Sequence, residues 1–263
     1  MVAVMGEVSP ILTIAYRDLI KFVRDPARLA ASFIFPLIFI GILGGSFQSN
    51  LGAGFGFDFI AFTFTGVLGQ TLFQSTADGI ISLIEDREND FSQEIFVSPI
   101  SRYSIIFGKI LGESLVALTQ GIGIIIFGLI IGVPISLGQL LALVPVALVA
   151  CLLGGSFGVL ILSNLSSRRL ATQVFPFIML PQFFLAGVFN PIKVLPPYLE
   201  ILSLISPMRY AIDLARGVFY AGQPDYDKVV LQPPLVNLTI MAAMFAIFLV
   251  AGTFLFVRRE RNR

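Results

Sequence analysis

Apolar residues fall in long blocks along this chain, and the blocks have the length of bilayer-crossing helices. Six runs stand out, near residues 29–47, 59–84, 104–132, 140–162, 171–189 and 235–257. Each is near the ~20 residues that a helix needs to cross the hydrocarbon core. A different pattern precedes them. Over residues 11–28, Ile11, Ile14, Ala15, Leu19 and Phe22 follow one helical face, and Arg17, Lys21, Arg24 and Arg28 follow another. That alternation predicts a helix lying in the membrane interface, ended by Pro26.

Two stretches break the apolar rhythm. Residues 85–102 read EDRENDFSQEIFVSPISR, the longest dense run of charge in the chain. Each central charge would cost about 2.5–3.5 kcal/mol in lipid, so the stretch projects into water. Its apolar residues Phe91, Ile95, Phe96 and Val97 equip it to dock onto something there. The second stretch, 190–234, holds seven prolines: Pro191, Pro196, Pro197, Pro207, Pro224, Pro233 and Pro234. The run between Pro197 and Pro207 is too short to span, and the run after Pro207 is amphipathic, with Arg209, Asp213 and Arg216. Two short helices that enter from the outer face and return fit this pattern, provided protein or a watery cavity covers their ends. A loop lying on the outer surface is the alternative. The resulting map is a tail and interfacial helix over 1–28, one transmembrane domain over 29–257 and a basic tail over 258–263. Within the domain, 84–103 is the cytoplasmic segment and 190–234 the outer one.

Composition agrees with a bilayer. The chain is 56% hydrophobic and 13% charged, and its mean hydropathy is +0.92. A net charge of +1 gives no pull toward nucleic acid. Cys151 is the single cysteine, so no disulfide forms within the chain, and no histidine exists to shuttle protons or bind metal. Residues 1–10 lack the basic start of a cleavable signal. Of the 17 Lys and Arg, thirteen fall in the N-terminal segment, the 85–109 region, the turn at 168–169 and the C-terminus. Basic residues mark the cytoplasmic side, so both termini are expected there. The six tyrosines lie outside or at the ends of the spans, as an interfacial belt would.

Candidate chemistry is sparse. A phosphate-binding G-x-x-x-x-G-K-[ST] loop is not expected, since Gly108-Lys109 is followed by Ile110 without a preceding glycine loop. Polar residues inside the spans are the usual functional candidates. Gln70, Gln74 and Asp78 recur every fourth position and share one face of the second run; Lys109, Glu113 and Gln120 lie toward the start of the third. They line a substrate path or an ion-coupling site, or they are hydrated near the cytoplasmic boundary with Lys109 and Glu113 paired. The pairs Gly41/Gly45, Gly128/Gly132 and Gly154/Gly158 allow close helix approach, within one chain more readily than between two.

These features together resemble the membrane subunit of a type-2 ATP-binding-cassette exporter, over essentially the whole chain. The family pattern E-x-R-E-x-G-T-x-x-x-L-x-x-[ST]-P-[IVL]-[SP]-R with a following Gly-Lys is met by Glu85, Arg87, Glu88, Ser98, Pro99, Ile100, Ser101, Arg102, Gly108 and Lys109. Asp90-Phe91 stands where the family often has Gly-Thr. The run from Pro207 to Asp213 is similar to the family's outer hairpin.

The resemblance implies an all-α membrane fold: six transmembrane helices, an N-terminal interfacial helix, a coupling helix between spans two and three, and a re-entrant hairpin before span six. Pro191, Pro207, Arg209, Tyr210 and Asp213 would belong to that hairpin. It implies two permease subunits, either two copies of this chain or one with a homologous permease. Two separate nucleotide-binding subunits would bind ATP and Mg, and this chain would hold no cofactor. Glu85, Arg87, Glu88, Phe91, Glu94, Ile95, Ser98, Pro99 and Arg102 would contact the ATPase, and Gln70, Gln74, Asp78, Glu113 and Gln120 would line the path. The expected setting is a bacterial-type plasma membrane, and the expected cargo is hydrophobic or amphipathic: a drug, a lipid or a lipid-linked glycan. Two rivals stand beside this: an ion-coupled secondary transporter using Asp78 and Glu113, and a membrane scaffold without transport.

Overall fold

The computed structural model of the chain describes residues 2–88, 101–162, 165, 167–193 and 195–261. Helix accounts for 84% of it, and no strand occurs among the described residues. The first helix, α1 (Val2–Val23), starts well before the amphipathic pattern and carries Pro10 within it. Asp25 caps α2 (Pro26–Ile38): its carboxylate accepts from the Arg28 N–H at 2.9 Å, with Pro26 in the first turn. A π-helical stretch at Phe39–Gly44 carries α2 into α3 (Gly45–Phe55), and Gly56 ends it with φ +68°.

Side-chain caps recur at later starts. Asp58 caps α4 (Phe59–Gly79), accepting from Ile60 N at 2.8 Å and Ala61 N at 3.1 Å. The apolar run expected to end at residue 84 breaks at Ile80, and the separate helix α5 (Ile81–Glu88) begins there. Ser101 caps α6 (Arg102–Ile130); α7 (Leu137–Leu162) follows, and Ser167 caps α8 (Arg168–Leu185). Prolines open the two short helices α9 (Pro197–Ile205) and α10 (Pro207–Phe219). Then come α11 (Tyr226–Val229) and the long α12 (Pro234–Arg261). Four segments among the described residues are long and apolar enough to cross a membrane: Pro26–Asn50, Tyr103–Ile130, Leu137–Leu162 and Tyr226–Phe256.

The core is built around α4, which is buried along most of its length and packs against α6, α7 and α10. Buried on all sides, it shows no amphipathic stripe. Backbone approach explains the tightest of these contacts. A Cβ on Gly154 of α7 would overlap the Phe73 carbonyl of α4, and one on Gly158 would sit 2.6 Å from the Ala77 carbonyl. This glycine pair therefore packs two helices of one chain. Of the other pairs, Gly45 faces open space and Gly132 sits in a turn with φ +87°. The basic helix α1 does not lie apart from the bundle. It packs along α6, where Gly108 and Gly112 admit Ile11, Ala15 and Asp18.

The tyrosines expected at the interface differ in exposure. Tyr16, Tyr103 and Tyr198 are about two-thirds exposed, whereas Tyr210 and Tyr220 are buried. Tyr210 instead donates its hydroxyl to the Leu204 carbonyl at 2.7 Å, across the bend between α9 and α10.

Candidate functional site

Because α4 is enclosed by other helices, its polar residues point into protein rather than lipid. Gln70, Gln74 and Asp78 form a ladder: Gln70 Nε2 donates to Gln74 Oε1 at 2.6 Å, and Gln74 Nε2 donates to Asp78 Oδ2 at 3.4 Å. The ladder faces a cavity of about 360 Å³ between α2, α4, α6 and α8. Arg28, Ser32, Thr71 and Gln120 add polar wall, and Phe35, Pro36 and Phe183 add apolar wall. The rings of Phe35 and Phe183 stand 6.2 Å apart. Gln120 of α6 thus shares the cavity with the ladder.

A second cavity of about 610 Å³ adjoins the first, and Arg28, Asp78 and Gly79 line both. Its wall is charged because six helices, α1, α2, α4, α5, α6 and α8, bring ionic residues together there. Lys109 of α6 is 2% exposed and lies 2.9 Å from Asp18 of α1 and 3.2 Å from Asp86 of α5. Arg17 of α1 reaches Asp86 at 2.6 Å and Asp18 at 3.1 Å. Glu85 of α5 pairs with Arg168 of α8 at 2.6 Å. Burial alone would push the Asp86 carboxyl up, but Lys109 and Arg17 hold it below its ordinary value. Lys109 therefore does not pair with Glu113, one turn along the same helix, as its spacing suggests. Glu113 turns the other way and accepts from the Ser82 hydroxyl at 3.0 Å. It presses on Gly79, where a Cβ would overlap its carboxylate.

The outer segment forms a third polar centre. Asp213 of α10 accepts from Leu231 N at 2.7 Å, Gln232 N at 2.9 Å and Asn237 Nδ2 at 2.7 Å, which fixes the start of α12. Arg209 donates to the Ser203 hydroxyl at 2.8 Å. Arg216, 1% exposed, donates to the Gly187 carbonyl at 2.8 Å and lies over the Phe62 ring at 3.6 Å. Gly187 adopts φ +70°, the left-handed turn that presents this carbonyl. Pro207 opens α10, and Pro191 lies half-buried in the loop before α9.

Several predicted residues are thus brought together and others are not. Gln70, Gln74, Asp78 and Gln120 meet at the first cavity; Asp78 and Glu113 meet at the second. Of the expected ATPase contacts, Glu85 stands on the charged wall, Arg87 and Glu88 end α5, and Arg102 opens α6. Phe91, Glu94, Ile95, Ser98 and Pro99 lie outside the described residues. Asp18 and Ser82 escaped the sequence reading. Asp18 had a signal, being the lone acid within the basic stretch from Arg17 to Arg24; Ser82 had none.

Comparison with known proteins places this architecture. The chain matches the ABC-2 type transporter family over residues 10–220. It is 26% identical over 220 residues to transport permease ycf38 of Cyanophora paradoxa, covering 81% of this chain and 74% of that one. The ycf38 permease of Porphyra purpurea is 28% identical over 235 residues, with 86% and 79% covered. Multidrug ABC transporter permease YbhR of Escherichia coli K12 is 28% identical over 141 residues, 53% of this chain and 38% of that one. The chain belongs to the ABC-2 type transporter family. It is a membrane-embedded transport subunit of the ABC permease kind rather than a catalytic one.

Proposed function

We propose that this chain is the membrane subunit of an ATP-driven exporter, and that two permease subunits work over two separate nucleotide-binding subunits that bind ATP and Mg. The observation that carries the reading is the ion-paired junction of α1, α5 and α6 directly beside the polar cavity of α4. The helix α5 leads straight into the charged 89–100 stretch, so a push on that stretch is passed to Asp86 and thence to Lys109. Residues 84–103 act as the coupling segment, with Phe91 and Ile95 seated in a groove of the ATPase and Glu85, Arg87, Glu88, Glu94, Ser98, Pro99 and Arg102 around them. ATP-driven closure of the ATPase pair then biases the permease toward outward release.

In this reading the chain crosses a bacterial-type plasma membrane six times with both termini in the cytoplasm. At ~31 Å and ~27 Å of helix, α4 and α8 are also long enough to cross; their polar residues lower their hydropathy. The α9–α10 hairpin enters from the outer face and returns, with Ser206, Arg209 and Arg216 bonded to Gln182, Ser203 and the Gly187 carbonyl. The substrate path runs past Gln70, Gln74, Asp78, Glu113 and Gln120, and the cargo is hydrophobic or amphipathic. The similarity to a permease named for multidrug transport supports that choice.

The test is copurification. Co-expressed with its ATPase, the wild-type chain is expected to bring that subunit down, and the Phe91→Asp/Ile95→Asp double variant is expected to lose it while remaining helical and membrane-inserted. Unchanged copurification by the double variant contradicts the coupling assignment.

A further inference from the structure

The two adjoining cavities hold a charge imbalance that the ion-paired junction does not absorb. On the wall of the larger one, Asp18 and Asp86 are matched by Lys109, with Arg17 and Lys21 adding to Asp86, and Glu85 is matched by Arg168. Asp25 is engaged in capping α2. Asp78 and Glu113 are hydrogen-bonded by neutral donors, the Gln74 amide and the Ser82 hydroxyl, and feel Arg28, and for Glu113 also Lys109, only from beyond ion-pair distance. Arg28 lies on the same wall, but its guanidinium sits 5.6 Å over the Phe22 ring and makes no ion pair with either carboxylate.

A second observation comes from individual atoms. Glu113 is 2% exposed, and its Oε2 has no hydrogen-bond partner among the described residues. In the smaller cavity, Gln70 Oε1 and Thr71 Oγ1 are likewise buried and unpartnered. Buried acceptors without donors are costly, and buried carboxylates without cations more so. What Asp78 and Glu113 lack is a cation at ion-pairing distance, and what the unpartnered acceptors lack is a hydrogen-bond donor. A bare metal ion fits poorly, since no group of three or more acidic or thiol ligands converges among the described residues. The other wall is apolar, and the faces of Phe35 and Phe183 favour both a hydrocarbon body and a nearby ammonium.

We propose that the joined cavities bind an amphipathic organic cation, with its protonated amine held by Glu113 and Asp78 and its apolar body against Phe35, Pro36 and Phe183. This rests on the reading of the same cavities as the substrate path, and it narrows the cargo from any amphiphile to a cationic one. The Gln70 carbonyl and Thr71 hydroxyl accept from further N–H groups of the ligand. Gly79 keeps the floor between the two carboxylates open, since any side chain there would displace Glu113.

The test uses dansylcadaverine, a fluorescent primary amine, and its N-acetyl derivative, which keeps the apolar body and loses the charge. Equilibrium binding to the purified complex of this chain with its ATPase is read from dansyl emission, without ATP. The amine is expected to bind on the order of tenfold more tightly than the acetylated form. Glu113→Gln, which can still accept from Ser82, is expected to remove most of that preference. Asp78→Asn, which can still accept from Gln74, is expected to remove part of it. Unchanged far-UV circular dichroism and retained copurification with the ATPase report that each variant is folded. Equal binding of the two probes by wild type, or an undiminished preference in both variants, overturns the proposal. ATP-dependent uptake of the amine into vesicles is scored separately. A charge preference in binding without such uptake keeps this inference and rejects the exporter reading; uptake of both probes alike does the reverse.

Discussion

Replacing Lys109 by Met tests how much the charged junction holds. The methionine fills nearly the same space, so packing against α1 changes little, but the ammonium 2.9 Å from Asp18 and 3.2 Å from Asp86 is gone. Breaking a fully buried pair by deleting one partner costs about 3–5 kcal/mol. Two features reduce this here. Arg17 stays within 3.1 Å of Asp18 and 2.6 Å of Asp86, and the Asp86 side chain is 16% exposed. A loss of about 2–3 kcal/mol is therefore expected. The cost comes mainly from leaving Asp18 Oδ2 buried without its ammonium partner, so Asp18→Asn in the same chain should recover about 1–2 kcal/mol of it. Denaturant unfolding of the detergent-solubilised protein, followed by far-UV circular dichroism, measures all four corners of the cycle; the chain has no tryptophan to report by fluorescence. A Lys109→Met cost below about 0.5 kcal/mol, or two substitutions that simply add, would refute the reasoning.

Three further outcomes follow from the same geometry. Asp86, held below its ordinary carboxylate value, contributes stability that is complete above the unfolded value and lost as pH falls through the folded one. Acid unfolding between about pH 5 and pH 2 should therefore be shallower in Asp86→Asn than in wild type, as read by circular dichroism. Gly154→Ala puts a methyl group into the Phe73 carbonyl and forces α7 off α4, with an expected cost of about 1–3 kcal/mol in the same unfolding assay. Asp213→Ala strands the Leu231, Gln232 and Asn237 donors at once and should cost about 2–4 kcal/mol, lowering the melting temperature more than Asp213→Asn does.

Much of this fold is written in hydropathy. The helix starts follow local chemistry that a sequence displays: Asp25-Pro26, Asp58, Ser101, Ser167 and the prolines at 197 and 207 each open a helix. The shared cavity of Gln70, Gln74 and Gln120 follows from four-residue spacing plus neighbouring spans. The break at Ile80 does not, because Ile80, Ile81, Leu83 and Ile84 carry the apolar run on past it. Nor does the partner of Lys109. Its spacing from Glu113 suits a local pair, but α1 and α5 bring stronger partners from distant sequence, and only tertiary packing decides between them. The same holds for Tyr210 and Tyr220, which composition assigns to an interface and packing buries.

The central claim is that ATP hydrolysed by a partner drives cargo through this chain, and uptake into inside-out vesicles containing the complex tests it most directly. The account predicts accumulation of an amphipathic cargo that requires ATP, persists when ionophores collapse the ion gradients, and disappears in the Phe91→Asp/Ile95→Asp variant. Accumulation that survives ATP depletion and collapses with the ion gradient would contradict it and assign Asp78 and Glu113 to ion coupling instead.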